Sequence, residues 1–254
     1  MCRHLAYLGP PASLRSVLTD PPWSLYRQSW APRRQRFGTV NADGFGVGWY
    51  APGDPVPARY RRAIPIWNDE SFADLARVTR SGALLAAVRS ASPGTVFGEA
   101  SVAPFAADGW LFSHNGRVDD WPGSLIPAAA TLPASALLDL DARVDSALLW
   151  ALVLHRLRLG MAPADALCDT VTALRAAGVT GRFNFLMTDG RLIAASRSGD
   201  TLSYRTSGGS TVVASEPTDD EPGWQDVPDG SVLVAGASGV TVSALSVNGR
   251  IAIQ

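Results

Sequence analysis

Cysteine is scarce: the 254-residue chain has two, Cys2 and Cys168. Two cysteines make no disulfide framework. Histidine is nearly as rare, and His4, His114 and His155 show no metal-ligand spacing. There is no excess of charge of either sign. The 22 basic and 23 acidic residues give a net charge of -1, which offers no basis for nucleic acid or an anionic membrane as partner. No apolar run approaches the length of a membrane span, and LAYLG stops at Pro10-Pro11, too short for a signal-peptide core. Internal repeats, low-complexity tracts and long linkers are missing as well. The chain therefore reads as a soluble, cytoplasmic, single domain over residues 1–254, with no cofactor and no metal called for. Its oligomeric state is left open, a homo-oligomer included.

Apolar residues make up 46% of the chain, enough for a sizeable core. The pattern predicts a first strand over residues 4–8 and a loop-rich stretch through 38. Strands follow in GFGVGWY and ARYRRAI, then a helix over 70–80. ALLAAVRS reads as a buried strand ending in arginine, and WLFSHNG as a strand ending in a glycine turn. The middle is helical, in VDSALLWALVLHRLRLG and again over about 163–177. Beyond Gly181 come short alternating strands with tight turns, which implies antiparallel pairing. β-rich ends around paired helices suggest an α+β layered domain. Cys168, with Leu167, Val171 and Leu174 on one helical face, reads as an inert core residue, and His155 as structural.

Chemistry concentrates in four short segments. In MCRH, removal of Met1 makes Cys2 the amino terminus, so one residue carries a thiol nucleophile and an α-amine base. The amine's reference pKa of about 7.7–8.0 suits it to accept and return a proton near neutrality. In AAVRSASPG, Arg89 ends an apolar strand and can hold a carboxylate through two parallel hydrogen bonds, with Ser90 and Ser92 as hydroxyl donors. The ordinary alternative is a strand-end arginine paired with a surface acid. In FSHNG, the Asn115 amide and the Gly116 backbone N–H can serve a developing oxyanion, against the default of an Asn-Gly turn. In RVDSALL, Asp145 can cap a helix or bind an ammonium group. The alternating glycines of NADGFGVGWY do not fit G-x-G-x-x-G; they clear one strand face for a neighbouring backbone or a substrate.

In this order, Cys2, DGFGVGW, Arg89, His114-Asn115-Gly116 and Asp145-Ser146 resemble the class II glutamine amidotransferases over roughly the first two-thirds of the chain. The resemblance implies a four-layer αββα sandwich of two antiparallel sheets, the N-terminal nucleophile hydrolase fold. It implies Cys2 as nucleophile with its α-amine as base, and Asn115 and Gly116 as the oxyanion hole. Arg89, Ser92, Asp145 and His114 would form the substrate-binding set, Arg89 and Ser92 on the α-carboxylate of a γ-glutamyl group and Asp145 on its ammonium.

Glutamine-using members commonly have glycine where this chain has Arg3, an aromatic residue where it has Ser90, and glutamate where it has Ala147. These departures point away from free glutamine. A narrower resemblance, in MCRHLAYLG, LYRQSWAPR, VNADGFGVGWY, SFADLARVTR and SEPTDDEPGWQDVPDGS, is to the γ-glutamyl hydrolases of ergothioneine biosynthesis. It implies a small γ-glutamyl substrate, γ-glutamyl-hercynylcysteine sulfoxide. The leaving half of that molecule carries a trimethylammonium, which aromatic faces stabilise. Trp23, Tyr26 and Trp30, near Arg27, are the candidates to line its side of the pocket, with core packing as the alternative. Three rival readings stay open at this point. One is a cysteine hydrolase built on Cys2, His114 and Asp145; another is a glutaminase subunit feeding ammonia to a partner; the third is a non-catalytic binding module.

Overall fold

Alternation along the strands sorts this chain into layers. The computed structural model describes residues 2–91 and 95–245. Met1, Ser92 and the last of the strands expected beyond Gly181, over 250–254, lie outside the described residues. In chain order the strands are β1 (Arg3–Ser13), β2 (Phe45–Trp49), β3 (Ala58–Arg62), β4 (Arg80–Val88), β5 (Phe105–Ala107), β6 (Trp110–Val118) and β7 (Gly181–Thr188). They continue with β8 (Ile193–Arg197), β9 (Ser203–Ser207), β10 (Ser210–Ala214), β11 (Gln225–Asp226), β12 (Ser231–Gly236) and β13 (Gly239–Ala244). The first sheet runs β11-β9-β10-β1-β4-β2-β3 and the second β13-β12-β8-β7-β6-β5. Every pairing is antiparallel.

Period-two alternation decides what each face meets. In β1, Leu5 and Tyr7 face an outer helix layer with Leu84, Ala86 and Val88 of β4. That layer contains α1 (Leu14–Leu18), α2 (Leu25–Gln28) and α3 (Glu70–Val78). The intervening residues Ala6 and Leu85 turn inward, against Leu111, Leu186 and Leu233 of the second sheet. Phe112 of β6 and Phe183, Phe185 and Met187 of β7 face the other helix layer. It is built from α4 (Ile126–Ala129), α5 (Ala134–Leu138), α6 (Asp145–Arg158) and α7 (Pro163–Ala176). The order is helix, sheet, sheet, helix, as the resemblance implied. Burying a large apolar side chain in such a layer contributes roughly 1.5–3 kcal/mol, so a register slip in any central strand is strongly disfavoured.

Two local expectations change. WLFSHNG does not end in a turn at its glycine. β6 runs on to Val118, with Asn115 opposite Asn184 and Gly116 opposite Phe183. Asp145 is not the cap of α6 either: that position is held by Val144, with no side-chain cap bond.

Candidate active site

The start of β1 places Cys2, half-buried and free, on the inward face that His4 and Ala6 continue. A pocket opens there between the sheets. Its walls include Cys2, Arg89, Val102, Ser113, His114 and Ser146. The glycines of β2 shape one wall. A side chain at Gly46 would stand 2.3 Å from the Ala103 carbonyl oxygen, and one at Gly48 would stand 2.7 Å from Leu111. Gly46 clears space for the Ala103 backbone, which lines the pocket, and Gly48 for the side chains of Leu111 and Pro104. A roomier apolar cleft between α5 and α6, lined by Ala136, Trp150 and Leu154, shares only Phe105 with the Cys2 pocket.

Arg89 follows directly after β4 and is buried. Its guanidinium reaches backbone carbonyls at long range, Asp43 at 3.5 Å and Val96 at 3.2 Å, and the Thr95 hydroxyl at 3.4 Å. Among the described residues no carboxylate lies within ion-pair distance of it. The Asp43 carboxylate instead accepts the Ala91 N–H at 2.7 Å.

Asn115 is fully buried, and its Nδ2 donates to Ser215 Oγ at 3.2 Å. Gly116 has no room for a side chain: a Cβ would stand 2.0 Å from the Arg182 oxygen and 2.4 Å from His114 Nε2. Asp145 ties the end of β6 to the start of α6, accepting Val118 N–H at 3.1 Å and Ser146 N–H at 2.8 Å. A carboxylate has further acceptor sites, so Asp145, half-buried, retains capacity for a ligand ammonium.

His114 is placed differently from a substrate-facing base. Nε2 donates to the Arg182 carbonyl at 2.8 Å, which leaves Nδ1 as acceptor from the Ser146 hydroxyl at 3.0 Å. Burial lowers its pKa, with Asp145 opposing, so the ring is held neutral and braces β6 against α6. His4 is also buried neutral, its pKa lowered to about 3 by burial, then by His114 and Arg3. Its Nδ1 meets Ser113 Oγ at 3.2 Å across the sandwich.

Tyr26 and Trp30 do not line the Cys2 pocket. They pack edge to face at 4.9 Å, with Trp67 5.7 Å from Trp30, in the outer layer of the first sheet. Trp23 lies under Arg33 and donates to Asp220 at 2.7 Å. Phe105 lines that pocket, and exposed Phe97 stands 5.8 Å from the Arg89 guanidinium.

The segment after β10 holds the residues that sequence reading missed. Glu216 is fully buried and accepts two backbone N–H groups, Arg33 and Arg34, each at 2.8 Å. It faces Arg3, also buried, at 3.7 Å. Burial lowers the Arg3 pKa, opposed by Glu216, Asp200 and Cys2.

The family model described as class II glutamine amidotransferases matches residues 15–207. The chain belongs to that family. It is 42% identical, over 96% of its own length and 97% of the relative's, to γ-glutamyl-hercynylcysteine sulfoxide hydrolase of Mycobacterium tuberculosis. Among solved structures it resembles a glutamine aminotransferase class-II domain protein from Silicibacter pomeroyi, with a TM-score of 0.71 and 26% identity, covering 96% of this chain and all of that one. Glutamine PRPP amidotransferase from Bacillus subtilis shares the fold at a TM-score of 0.65 and 15% identity, covering 97% of this chain and 50% of that one. Among the described residues no helix is long and apolar enough to cross a membrane.

Proposed function

We propose that this enzyme hydrolyses the γ-glutamyl amide bond of γ-glutamyl-hercynylcysteine sulfoxide, releasing glutamate and hercynylcysteine sulfoxide. The observation that carries the reading is Arg89, a buried guanidinium on the wall of the Cys2 pocket with no acid partner among the described residues. A buried cation is costly unless paired, and a substrate α-carboxylate completes it. The relative with 42% identity supports the choice of leaving group.

In this mechanism the α-amine of processed Cys2 takes the thiol proton as sulfur attacks the γ-carbonyl carbon. The Asn115 amide and Gly116 N–H stabilise the oxyanion, one such donor contributing roughly 2.7–4 kcal/mol. The C–N bond then breaks, and the amine's proton passes to the leaving nitrogen. Water adds to the glutamyl thioester, giving its proton to the same amine, and the C–S bond breaks to free glutamate. Arg89 holds the α-carboxylate, with Ser92 assisting, and Asp145 holds the ammonium. His114 has no ring nitrogen free for proton transfer, which disfavours the Cys-His-Asp reading. The test is glutamate release by Met1-processed protein from the sulfoxide conjugate and, separately, from glutamine, with Cys2→Ala as control. Release that depends on Cys2 and is far faster from the conjugate supports the reading. Faster release from glutamine, or none from either, overturns it.

A further inference from the structure

We infer that Ser215 is a positioning residue that acts through Asn115, an inference resting on Asn115 being the oxyanion donor proposed above. Ser215 follows β10 and is fully buried. Its Oγ accepts the Asn115 Nδ2–H at 3.2 Å and the His4 N–H at 3.0 Å. Its own N–H donates to the His4 carbonyl at 3.0 Å, and its carbonyl accepts the Thr201 hydroxyl at 2.7 Å. One side chain therefore joins the amide of the second sheet to the nucleophile strand of the first, two residues from Cys2.

Asn115 needs that anchor. Its Oδ1 is buried with no partner, so among the described residues Ser215 Oγ is the one group that fixes the rotation of the amide. The terminal torsion of asparagine is broad and roughly two-fold. Freed from Ser215, the amide can turn its oxygen to where its N–H stood. That places an acceptor, in place of a donor, against the developing oxyanion. With Ser215 present, one Nδ2 hydrogen is held and the other remains for the reacting oxygen.

A double-mutant cycle tests this, with single-turnover glutamate release from the sulfoxide conjugate as readout and thermal melts to verify folding. Ser215→Ala is expected to lower kcat about 10- to 100-fold, less than outright loss of an oxyanion donor, with KM changed less than about twofold. In an Asn115→Ala background the same substitution is expected to cost less than about twofold, because the group it orients is gone. Equal fractional losses in both backgrounds, or no loss in the parent, overturn the inference while leaving the oxyanion role intact. Full activity of Asn115→Ala overturns both. If Ser215→Ala does not fold, Ser215→Cys, close in volume but a weak acceptor, enters the same cycle with the same criteria.

Discussion

Replacing Glu216 by glutamine keeps the shape of the side chain and removes its charge. In the structure its two carboxylate oxygens accept separate backbone N–H groups, Arg33 and Arg34, both at 2.8 Å. Glutamine offers one carbonyl oxygen, so one N–H meets an NH2 group instead. Losing a hydrogen bond to a charged acceptor costs about 1.5–3 kcal/mol. The same change uncovers Arg3, which lies 3.7 Å away and whose Nε and Nη2 have no hydrogen-bond partner. Leaving one member of a buried ion pair alone costs about 3–5 kcal/mol. Both effects come from one charge and overlap, and Asp200 still attracts Arg3, so the expected loss is about 3–5 kcal/mol and not their sum. Urea unfolding at pH 7 followed by circular dichroism measures it. The double variant Arg3→Met with Glu216→Gln removes the stranded charge and should recover a large part of the loss. A Glu216→Gln loss below about 1 kcal/mol, or a double variant no better than the single one, would refute the view that this pair is a buried strut.

Four further outcomes are expected. His4, with a pKa of about 3 when folded and about 6.5 when unfolded, binds more protons in the unfolded chain between those values. Its contribution to stability is therefore complete above pH 6.5 and is lost as pH falls through that window, at no more than about 1.4 kcal/mol per pH unit. His4→Gln should flatten the fall in urea stability between pH 6.5 and 5 without abolishing it, since buried His114 titrates in the same sense. Gly116→Ala should yield little folded protein in a solubility and melting assay, because its Cβ would stand 2.0 Å from a backbone oxygen. Arg89→Lys should raise KM at least tenfold, since a point charge cannot form the paired bonds of a guanidinium; steady-state kinetics with an unchanged KM would remove Arg89 from the substrate site. Finally, the chain contains no lysine, so the α-amine is its one primary amine. Acetylation, which turns that amine into a non-basic amide, should take up one equivalent per chain at nitrogen and abolish turnover in parallel; full activity at full N-acetylation would exclude the amine as base.

Periodicity made the layers legible. The helix expected over 163–177 is found at Pro163–Ala176, and the one over 70–80 at Glu70–Val78, where Asp69 caps it. Short elements escaped notice: β5 has three residues and α5 five, too few to show a period. Cys2, Arg89 and Asn115 could be picked out because each sits in a local pattern that chemistry explains. Ser215 and Glu216 could not. Their partners His4, Arg33 and Asn115 lie 100 to 211 residues away, and nothing local separates a buried Glu216 from Asp220 and Glu221, which are exposed. In the aromatic run at 23–30 composition suits a cation, but the fold packs Tyr26 against Trp30 and Trp30 against Trp67.

Cys2 and Asn115, the proposed nucleophile and oxyanion donor, belong to different sheets, so the proposed site is a seam and not a patch. Its precision is that of two plates clamped face to face. The apolar filling between them, Leu85, Leu111, Leu186 and Leu233, sets their spacing and does not line the Cys2 pocket. Shaving that filling changes the gap across which sulfur and amide must meet a single carbonyl. On that reading turnover can be detuned from the middle of the protein, by residues that never enter the pocket.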